Sequence, residues 1–299
     1  MFDPDQVALR PPTLWRYREA IPVKPLVTMG EGFTPLLELR NVFIKNDTMF
    51  PTGSFKDRGA AVLISYCKQQ GITSVVEDSS GNAGCAIAAY CAAGDIGCEI
   101  FVPASTSPDK LKQIERYGAK LTLVPGSRAD TAAAAELAGE STFYASHVHQ
   151  DHFLHGTKTW AFEVVEQLGW SCPDVVVLPV GNGSLLLGVH MGFSEMLDAG
   201  LIDRMPRLIG VKAENPSKTI AHGIGIVNPP RAEEIATAVD EMMTVSDDQI
   251  IQAMHALARC GHDVEPTGAV GYAGVLTLDV HARVVTSLTG RSLKSLVRL

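Results

Sequence analysis

An alternation of strand and helix patterns constrains the fold of this 299-residue chain more than any other feature. In the first half, short apolar strand patterns separate longer segments that have apolar residues at helical spacing. The patterns follow the order 54–70 (helix), 73–77 (strand), 83–93 (helix), 98–102 (strand), 108–117 (helix), 121–124 (strand) and 130–138 (helix). Strands joined by helices favour a parallel sheet that is covered on both faces. The sequence therefore predicts an α/β fold.

The second half of the chain repeats this alternation. Its patterns are 157–168 (helix), 175–178 (strand), 182–197 (helix), 208–211 (strand), 246–260 (helix) and 284–288 (strand). Ser246 and Gln249 have the spacing of a capping box, which marks the start of a helix. Segment 216–231 is rich in Gly, Pro and Asn, and we predict a loop there. The length favours two domains, and we place their boundary near Ser146.

Composition argues against several classes of protein. Hydrophobic residues make up 46% of the chain and charged residues 19%, which is typical of a globular protein. No apolar run is long enough for a membrane-spanning helix, and no secretory signal is expected. A net charge of −8 without a basic stripe argues against nucleic acid as the main partner. The six cysteines form no CxxC pair. Four of them lie in apolar, periodic segments, where we expect buried thiols in a reducing cytoplasm.

The segment 51–59, PTGSFKDRG, places Lys56 between an aromatic residue and an aspartate where a loop meets a helix. A lysine that is partly removed from water loses its proton more easily and can then attack a carbonyl carbon. The alternative from spacing alone is a solvated, charged helix face formed by Lys56, Asp57 and Arg58.

Three further segments lie where a predicted strand ends. SSGNAG at 79–84 and VGNGSLLLG at 180–188 both lead into a helix, where free amides can bind an anion or a carboxylate. LTGRSLK at 288–294 places the hydroxyl of Thr289 at the carboxyl end of a strand, where open α/β sheets bind ligands. The glycine spacing at 180–188 is neither GxGxxG nor a Walker A loop, so a single phosphate group fits better than a dinucleotide. The alternative for each segment is an ordinary tight turn.

These segments occur together in the order typical of one family. The chain resembles the fold-type II pyridoxal-phosphate enzymes, and most closely their threonine synthase branch. The resemblance rests on SFKDRG, SSGNAG, PVGNGSLLLG, EPTGAVG and LTGRSLK, with GEGFTPL at 30–36 and GTKTWAFEVVEQLG at 156–169. It covers nearly the whole chain from about Trp15. It implies two doubly wound parallel-sheet domains, with pyridoxal 5′-phosphate in the cleft between them. The smaller domain would be 46–145, and the larger would combine 1–45 with 146–299.

The resemblance also implies roles for individual residues. Lys56 would hold the cofactor's aldehyde as a Schiff base and move protons, and Asn82 would bind the cofactor's 3′-oxygen. Thr289 would face the pyridine nitrogen with a neutral hydroxyl, which suits elimination or replacement at the β or γ carbon better than transamination. The 5′-phosphate would be bound by Gly181, Asn182, Gly183 and Ser184. The substrate would be bound by Ser79, Ser80, Gly81, Asn82, Ala83 and His152. Glu265 matches a Glu-Pro motif of the family but receives no chemical step.

The chain departs from the threonine synthase pattern at positions that bear on the substrate. The family commonly has an arginine where this chain has Phe153, and that arginine helps to bind the phosphate of O-phosphohomoserine. Asp151 stands in place of a proline, and Ala83 in place of a threonine that often follows Gly-Asn. Because phenylalanine cannot supply the charged fork that grips a phosphate, we expect O-phosphohomoserine to be a poor substrate.

The same stretch carries four histidines, at positions 147, 149, 152 and 155. They are compatible with a metal site, with a polar surface, or with one or two histidines lining the substrate pocket. We predict no metal site.

Three functions remain open. The first is pyridoxal-phosphate-dependent elimination or replacement on a small amino acid, by a lyase related to threonine synthase. The second is an authentic threonine synthase that converts O-phosphohomoserine to threonine and phosphate. The third is a non-catalytic binding protein that retains the fold, against which the intact Lys56, Asn82, glycine turn and Thr289 argue. The resemblance also implies a homodimer that uses a small amino-acid substrate. The composition and the cysteines predict a cytoplasmic protein with no nucleic-acid or membrane partner.

Overall fold

The computed structural model describes residues 1–279 and 282–292, with only the backbone at positions 109 and 110. Within these ranges the α-helices are α1 Pro4–Ala8, α2 Lys56–Gln69, α3 Asn82–Gly94, α4 Pro108–Arg116, α5 Arg128–Gly139, α6 Asp151–Thr157, α7 Thr159–Gln167, α8 Ser184–Asp198, α9 Ala232–Ala238, α10 Asp247–Ala258 and α11 Pro266–Val275. Short 3₁₀ helices cover Leu14–Ala20, Asp47–Met49 and His222–Ile224. No helix in the described ranges has both the length and the apolar character needed to cross a bilayer.

The strands form two sheets. They are β1 Leu36–Leu39, β2 Val42–Asn46, β3 Ser74–Glu77, β4 Gly97–Pro103, β5 Lys120–Val124, β6 Phe143–Tyr144, β7 Val175–Pro179, β8 Arg207–Ala213, β9 Glu241–Val245 and β10 Val284–Leu288. The smaller sheet has the order β5-β4-β3-β6 and is parallel throughout. The larger has the order β1-β2-β10-β7-β8-β9 and is parallel except for the β1–β2 pair. The predicted α/β fold with parallel sheets is confirmed.

Helices cover both faces of the larger sheet because the side chains of its central strands alternate between the two faces. Val176 and Leu178 of β7 pack in one apolar core together with residues of α7 and α8. Val175 and Val177 of the same strand pack in a second core together with residues of α10 and α11. Strand β7 is buried along its whole length, which explains its uninterrupted apolar sequence.

The structure adds elements that the sequence prediction lacked. The helix predicted over 157–168 corresponds to α7, and the separate helix α6, which precedes it and ends beside Lys158, was not predicted. The hairpin of β1 and β2 was not predicted, and its turn residues Arg40 and Asn41 both have positive φ. Paired left-handed turn residues match the twist of a two-residue hairpin. Strands β6 and β9 were also missed, since neither has a clear alternation of apolar and polar residues.

The parallel strands direct the segments singled out in the sequence toward one region. The chain leaves β3 into residues 78–81 and α3, leaves β7 into residues 180–183 and α8, and leaves β10 at Thr289. The carboxyl ends of parallel strands are where open α/β sheets bind ligands.

Candidate active site

Lys56 is the first residue of α2, and the segment before it is fastened to the end of β10. The Phe55 amide donates a hydrogen bond to the Thr289 carbonyl at 3.0 Å, and Ser54 forms a β-bridge with Gly290. The Lys56 Nζ then donates to Ser184 Oγ at 3.0 Å, so it reaches the N-terminus of α8. The structure therefore brings Lys56, Thr289 and the glycine turn together from distant parts of the chain.

The surroundings of Lys56 are largely apolar. Its Nζ lies 4.7 Å from the ring centroid of Phe55 and 5.5 Å from that of Phe153. Desolvation lowers the pKa of Lys56 to about 7; Glu77 opposes this shift and Arg128 adds to it. A large fraction of the amine is therefore unprotonated at neutral pH, which is the form that attacks a carbonyl. The alternative of a solvated charged face is wrong, because Asp57 and Arg58 are completely buried.

The turn at 181–184 forms a cradle of backbone amides at the start of the 15-residue helix α8. Gly183 has a φ of +84°, and a Cβ there would lie 2.6 Å from the Ile235 side chain. A Cβ on Gly181 would lie 2.3 Å from the Gly223 carbonyl oxygen. Only glycine fits both positions, and the free amides of the first helical turn attract an anion.

Asn82 begins α3, and its side-chain amide donates to Glu265 Oε1 at 2.7 Å. Glu265 precedes α11, and its amide donates to the Gly290 carbonyl at 3.2 Å. Thr289 Oγ1 donates to the Thr267 carbonyl at 3.4 Å. Sequence reasoning left Glu265 without a role, whereas the structure joins it to Asn82 and to the strand end that carries Thr289. Residues 293 and 294 of the predicted LTGRSLK segment lie outside the described residues.

The segment 79–83 forms the tight connection between β3 and α3. The Gly81 amide donates to Ser79 Oγ at 3.3 Å, and Ser80 is partly exposed. A Cβ on Gly84 would lie 1.8 Å from the Ser79 carbonyl oxygen, so the turn packs closely on the helix. Ala83 is buried beside it.

His152 is not brought to Lys56. Its ring stacks on Tyr66 with 3.7 Å between centroids. Tyr66 lies ten residues along α2 from Lys56, which corresponds to about 15 Å of helix. The four histidines do not converge either: His147 is buried, His149 is exposed, and the rings of His152 and His155 lie 6.4 Å apart.

Phe153 forms an apolar wall beside Lys56. Its side chain is fully buried, and a Cβ on Gly59 of α2 would lie 2.3 Å from its ring. The His147 ring meets the Phe153 ring edge-on with 6.0 Å between centroids. Phe153 therefore contacts both the lysine and His147.

Sequence reasoning missed a buried pair at the end of β3. Glu77 Oε1 lies 2.6 Å from His147 Nδ1, and the two side chains are 0% and 5% exposed. The neighbouring Asp78 accepts a hydrogen bond from the Tyr144 hydroxyl at 2.8 Å. One polar side-chain atom from each of Glu77, Asp78 and His147 can be chosen so that all three lie within 4.8 Å of one another. Two consecutive carboxylates at a strand end, directly before SSGN, were the signal that could have revealed this pair.

Comparison with known proteins identifies the family. The sequence profile described as "Pyridoxal-phosphate dependent enzyme" matches residues 27–290. The threonine synthase of Methanocaldococcus jannaschii is 34% identical over 94% of this chain and 80% of that protein. The threonine synthase of Synechocystis sp. is 33% identical over 93% of this chain and 82% of that protein. The chain therefore belongs to the pyridoxal-phosphate-dependent enzymes, as the sequence motifs predicted, and its relatives include threonine synthases.

Solved structures agree with this fold. Maize serine racemase has a TM-score of 0.78 at 21% identity, covering 94% of this chain and 94% of its own. The T.th. threonine deaminase has a TM-score of 0.76 at 24% identity, covering 86% of this chain and 92% of its own.

The residues present fit pyridoxal 5′-phosphate, the cofactor of this family. Lys56 offers a desolvated amine, and the turn at 181–184 offers an amide cradle that no side chain at Gly181 or Gly183 could share. The two features lie next to each other, since Lys56 Nζ contacts Ser184 Oγ. A cofactor that carries an aldehyde and a phosphate on one ring needs this combination.

Proposed function

We propose that this enzyme eliminates or replaces a substituent on the β or γ carbon of a small, unphosphorylated amino acid. The observation that carries this proposal is the apolar wall at the lysine: the ring of Phe153 lies 5.5 Å from Lys56 Nζ. The phosphate of a substrate held at this wall would lose its hydration, and no guanidinium there would replace the lost hydrogen bonds. Such uncompensated desolvation of a charge is costly in free energy.

The roles of individual residues follow from their surroundings. The cofactor, when bound, withdraws electrons from the carbon that carries the substrate's amino group. We assign Lys56 to its covalent attachment and to proton transfer, the amides of Gly181, Asn182, Gly183 and Ser184 to its phosphate, and Asn82 to its ring oxygen. The Thr289 hydroxyl is assigned to the ring nitrogen. A hydroxyl does not hold a proton on that nitrogen as a carboxylate would, which favours elimination and replacement.

The substrate's carboxylate is assigned to the N-terminus of α3, where Ser79, Ser80, Gly81 and Asn82 precede or begin the helix. Free amides and the helix dipole stabilise a negative charge at such a position. Ala83 and His152 were expected among the substrate contacts. We now favour His147 over His152, because His152 stacks on Tyr66 at a distance from the lysine.

A second candidate is an authentic threonine synthase. It is supported by the threonine synthases of Methanocaldococcus jannaschii and Synechocystis sp., at 34% and 33% identity. In that case the substrate phosphate would need a cation other than the missing arginine. Arg128, at the start of α5, influences the pKa values of Lys56 and His147 and is a candidate for that contact.

One experiment separates the two candidates. The values of kcat/KM for O-phosphohomoserine, serine, threonine, O-acetylserine and O-phosphoserine are compared on the purified holoenzyme at neutral pH. We expect an unphosphorylated substrate to exceed O-phosphohomoserine by at least about tenfold, since a charged hydrogen bond contributes about 1.5–3 kcal/mol. Efficient formation of threonine from O-phosphohomoserine would overturn the proposal and support the second candidate. Absence of turnover with every substrate would favour a non-catalytic binding protein.

We also propose that residues 46–145 form the smaller domain and 1–45 with 146–299 the larger. This is supported by the smaller sheet's strands, which all lie within 74–144. A cytoplasmic homodimer is proposed as well, and the six free cysteines are compatible with a reducing compartment. Sedimentation equilibrium of the holoenzyme tests the oligomeric state, and a monomer at micromolar concentration would exclude a stable dimer.

A further inference from the structure

The pair of Glu77 and His147 lies at the carboxyl edge of the smaller sheet, next to the catalytic lysine. Glu77 is the last residue of β3, directly before segment 78–81, and His147 follows the neighbouring strand β6. The His147 ring and the Lys56 ammonium both lie against Phe153, at 6.0 Å and 5.5 Å from its centroid. The pair is therefore part of the wall of the active site.

One nitrogen of His147 is held and the other is open. Nδ1 lies 2.6 Å from Glu77 Oε1, which fixes the ring. Nε2 makes no hydrogen bond to any residue in the described part of the chain, and the His147 side chain is 5% exposed. Nε2 is therefore the ring nitrogen left for a water molecule or a ligand.

Burial determines which protonation states of Glu77 and His147 are favoured. Desolvation, with Asp78, raises the pKa of Glu77 well above its usual range, although Lys56 opposes this effect. Desolvation and the positive charges of Lys56 and Arg128 lower the pKa of His147 well below its usual range. Glu77 Oε2 is fully enclosed and has no partner among the described residues. Burial without a hydrogen-bond partner costs much less free energy for a neutral carboxylic acid than for a charged carboxylate. Burial thus favours the protonated form of Glu77, in which the acid donates to Nδ1 and the imidazole proton lies on Nε2.

The charged and titratable groups that face the pair come from several elements. For His147 they are Lys56, Arg128 and His149, and for Glu77 they are Asp78, Lys56, Cys98 and Arg128.

We propose that His147, supported by Glu77, donates the Nε2 proton to a hydroxyl group that leaves the β carbon of the substrate, so that the substrate is a small β-hydroxy amino acid. This proposal rests on the elimination chemistry of the proposed function and names its substrate class. The proton donor, His147, lies on the same side of Lys56 as the Phe153 ring.

The protons and electrons of this step balance. The substrate's Cα–H bond breaks, Lys56 takes that proton, and the electron pair left on the α carbon forms a double bond to the β carbon. The bond between the β carbon and oxygen breaks with its electron pair on oxygen, which takes the proton from Nε2 and leaves as water. The proton of Glu77 moves to Nδ1, so the imidazole stays neutral and Glu77 becomes a carboxylate. The proton on Lys56 then restores the pair through water, and no oxidant or reductant is required.

The chemistry of the leaving group explains why a hydroxyl, and not a phosphate ester, suits this donor. Hydroxide is a poor leaving group and needs a proton in the transition state, and a positioned acid typically contributes 10²–10⁴-fold. Phosphate leaves as a stable anion and needs no such acid. It needs cations instead, and the side chain that meets His147 here is Phe153.

The test compares two leaving groups in His147→Gln. Serine requires protonation of its hydroxyl, whereas β-chloroalanine releases chloride without a proton. We expect His147→Gln to lower kcat/KM for serine about 100-fold or more and to change that for β-chloroalanine less than about threefold. Glu77→Gln should lower the serine value and shift its pH profile. His149→Gln is the matched control, because that side chain is exposed, and it should leave both substrates unaffected.

A second measurement uses the protein without substrate. The ¹⁵N resonances of His147, assigned by comparison with His147→Gln, should report a neutral ring with its proton on Nε2 from pH 5 to pH 9. A ring that titrates near pH 6.5 would overturn the proposal. Equal losses for serine and β-chloroalanine would reduce His147 to a structural role. Tight binding of a divalent metal that depends on Glu77, Asp78 and His147 would assign the group to a cation instead.

Substrate assays of the wild-type enzyme distinguish failure of this inference from failure of the proposed function. Turnover of β-chloroalanine without turnover of serine or threonine overturns the present inference and leaves elimination chemistry intact. Turnover of O-phosphohomoserine alone overturns both.

Discussion

Two buried ionic clusters flank helix α2, and they differ in how completely they are paired. The first, here the Arg58 cluster, contains Arg58, Asp47, Glu163 and Lys45, all with fully buried side chains. The guanidinium makes two hydrogen bonds to each carboxylate, at 2.6 and 2.9 Å to Glu163 and at 2.8 and 3.0 Å to Asp47. Lys45 Nζ adds a contact of 2.7 Å to Glu163 Oε2. The cluster joins α2 to α7 and to the end of β2.

The second cluster begins two residues earlier on α2 and is incompletely paired. Among the residues that the structure describes, Lys56 donates to Ser184 Oγ and has no carboxylate partner, one oxygen of Glu77 has no partner, and only Nδ1 of His147 is hydrogen-bonded. Fully paired buried charges stabilise one arrangement, whereas incompletely paired groups acquire shifted pKa values and remain available to a ligand. The Arg58 cluster, whose charges are fully paired, therefore stabilises the fold. The Lys56 cluster, which is incompletely paired, is suited to catalysis.

Removal of each cluster's lysine should give the largest contrast. Lys56→Ala should lower kcat on the order of 10⁴-fold, because covalent attachment and proton transfer are both lost. Its thermal midpoint should not fall, since the amine that it removes is desolvated and has no carboxylate partner among the described residues. Lys45→Met should lower the midpoint and keep cofactor attachment. Borohydride reduction followed by peptide mapping should find the pyridoxyl group on Lys56, and a group on any other lysine would refute the assignment.

The same substitution at two buried glutamates is the next test. Glu163→Gln should cost about 3–5 kcal/mol in the free energy of unfolding, because it leaves Arg58 and Lys45 without their shared carboxylate. Glu77→Gln should cost less than about 1 kcal/mol, because a neutral amide replaces a neutral acid. Urea denaturation of both variants provides the comparison. Equal losses would mean that Glu77 is an ionised structural residue.

Acid should weaken the Arg58 cluster first. Burial alone would raise the pKa of Glu163, but Arg58 and Lys45 outweigh that effect and lower it to about 2. The unfolded state therefore binds more protons than the folded state between about pH 4.5 and pH 2. The free energy of unfolding consequently decreases as the pH is lowered through that window. Thermal midpoints measured across it should decline, and the decline should be smaller in Glu163→Gln. An unchanged slope in the variant would locate the acid sensitivity elsewhere.

The lysine of the incompletely paired cluster should respond to pH at neutrality. Because its pKa is lowered to about 7, the fraction of reactive amine falls about tenfold per pH unit below that value and levels off above it. Stopped-flow absorbance should show this dependence in the rate at which the apoprotein captures pyridoxal 5′-phosphate. A rate that keeps rising to pH 10 would indicate a lysine with an ordinary pKa.

Local features of this protein were determined by its sequence alone. The strand and helix alternation, the glycine turn before α8 and the capping box of Ser246 and Gln249 each depend on residues that are close together in the chain. Their backbone requirements are met within a few residues, so the pattern suffices to predict them. The motif order around Lys56 likewise indicated the family before any contact was known.

Only the tertiary structure decided which charged residues meet. Glu77 and His147 are 70 residues apart, and Arg58 and Glu163 are 105 residues apart. In the sequence, Lys56 and Arg58 are equivalent cations on one helix turn. The fold surrounds Arg58 with two carboxylates and leaves Lys56 beside Phe55, Phe153 and a hydroxyl. Burial and the electrostatic field at a site depend on every element packed around it, and for that reason neither can be read from local spacing.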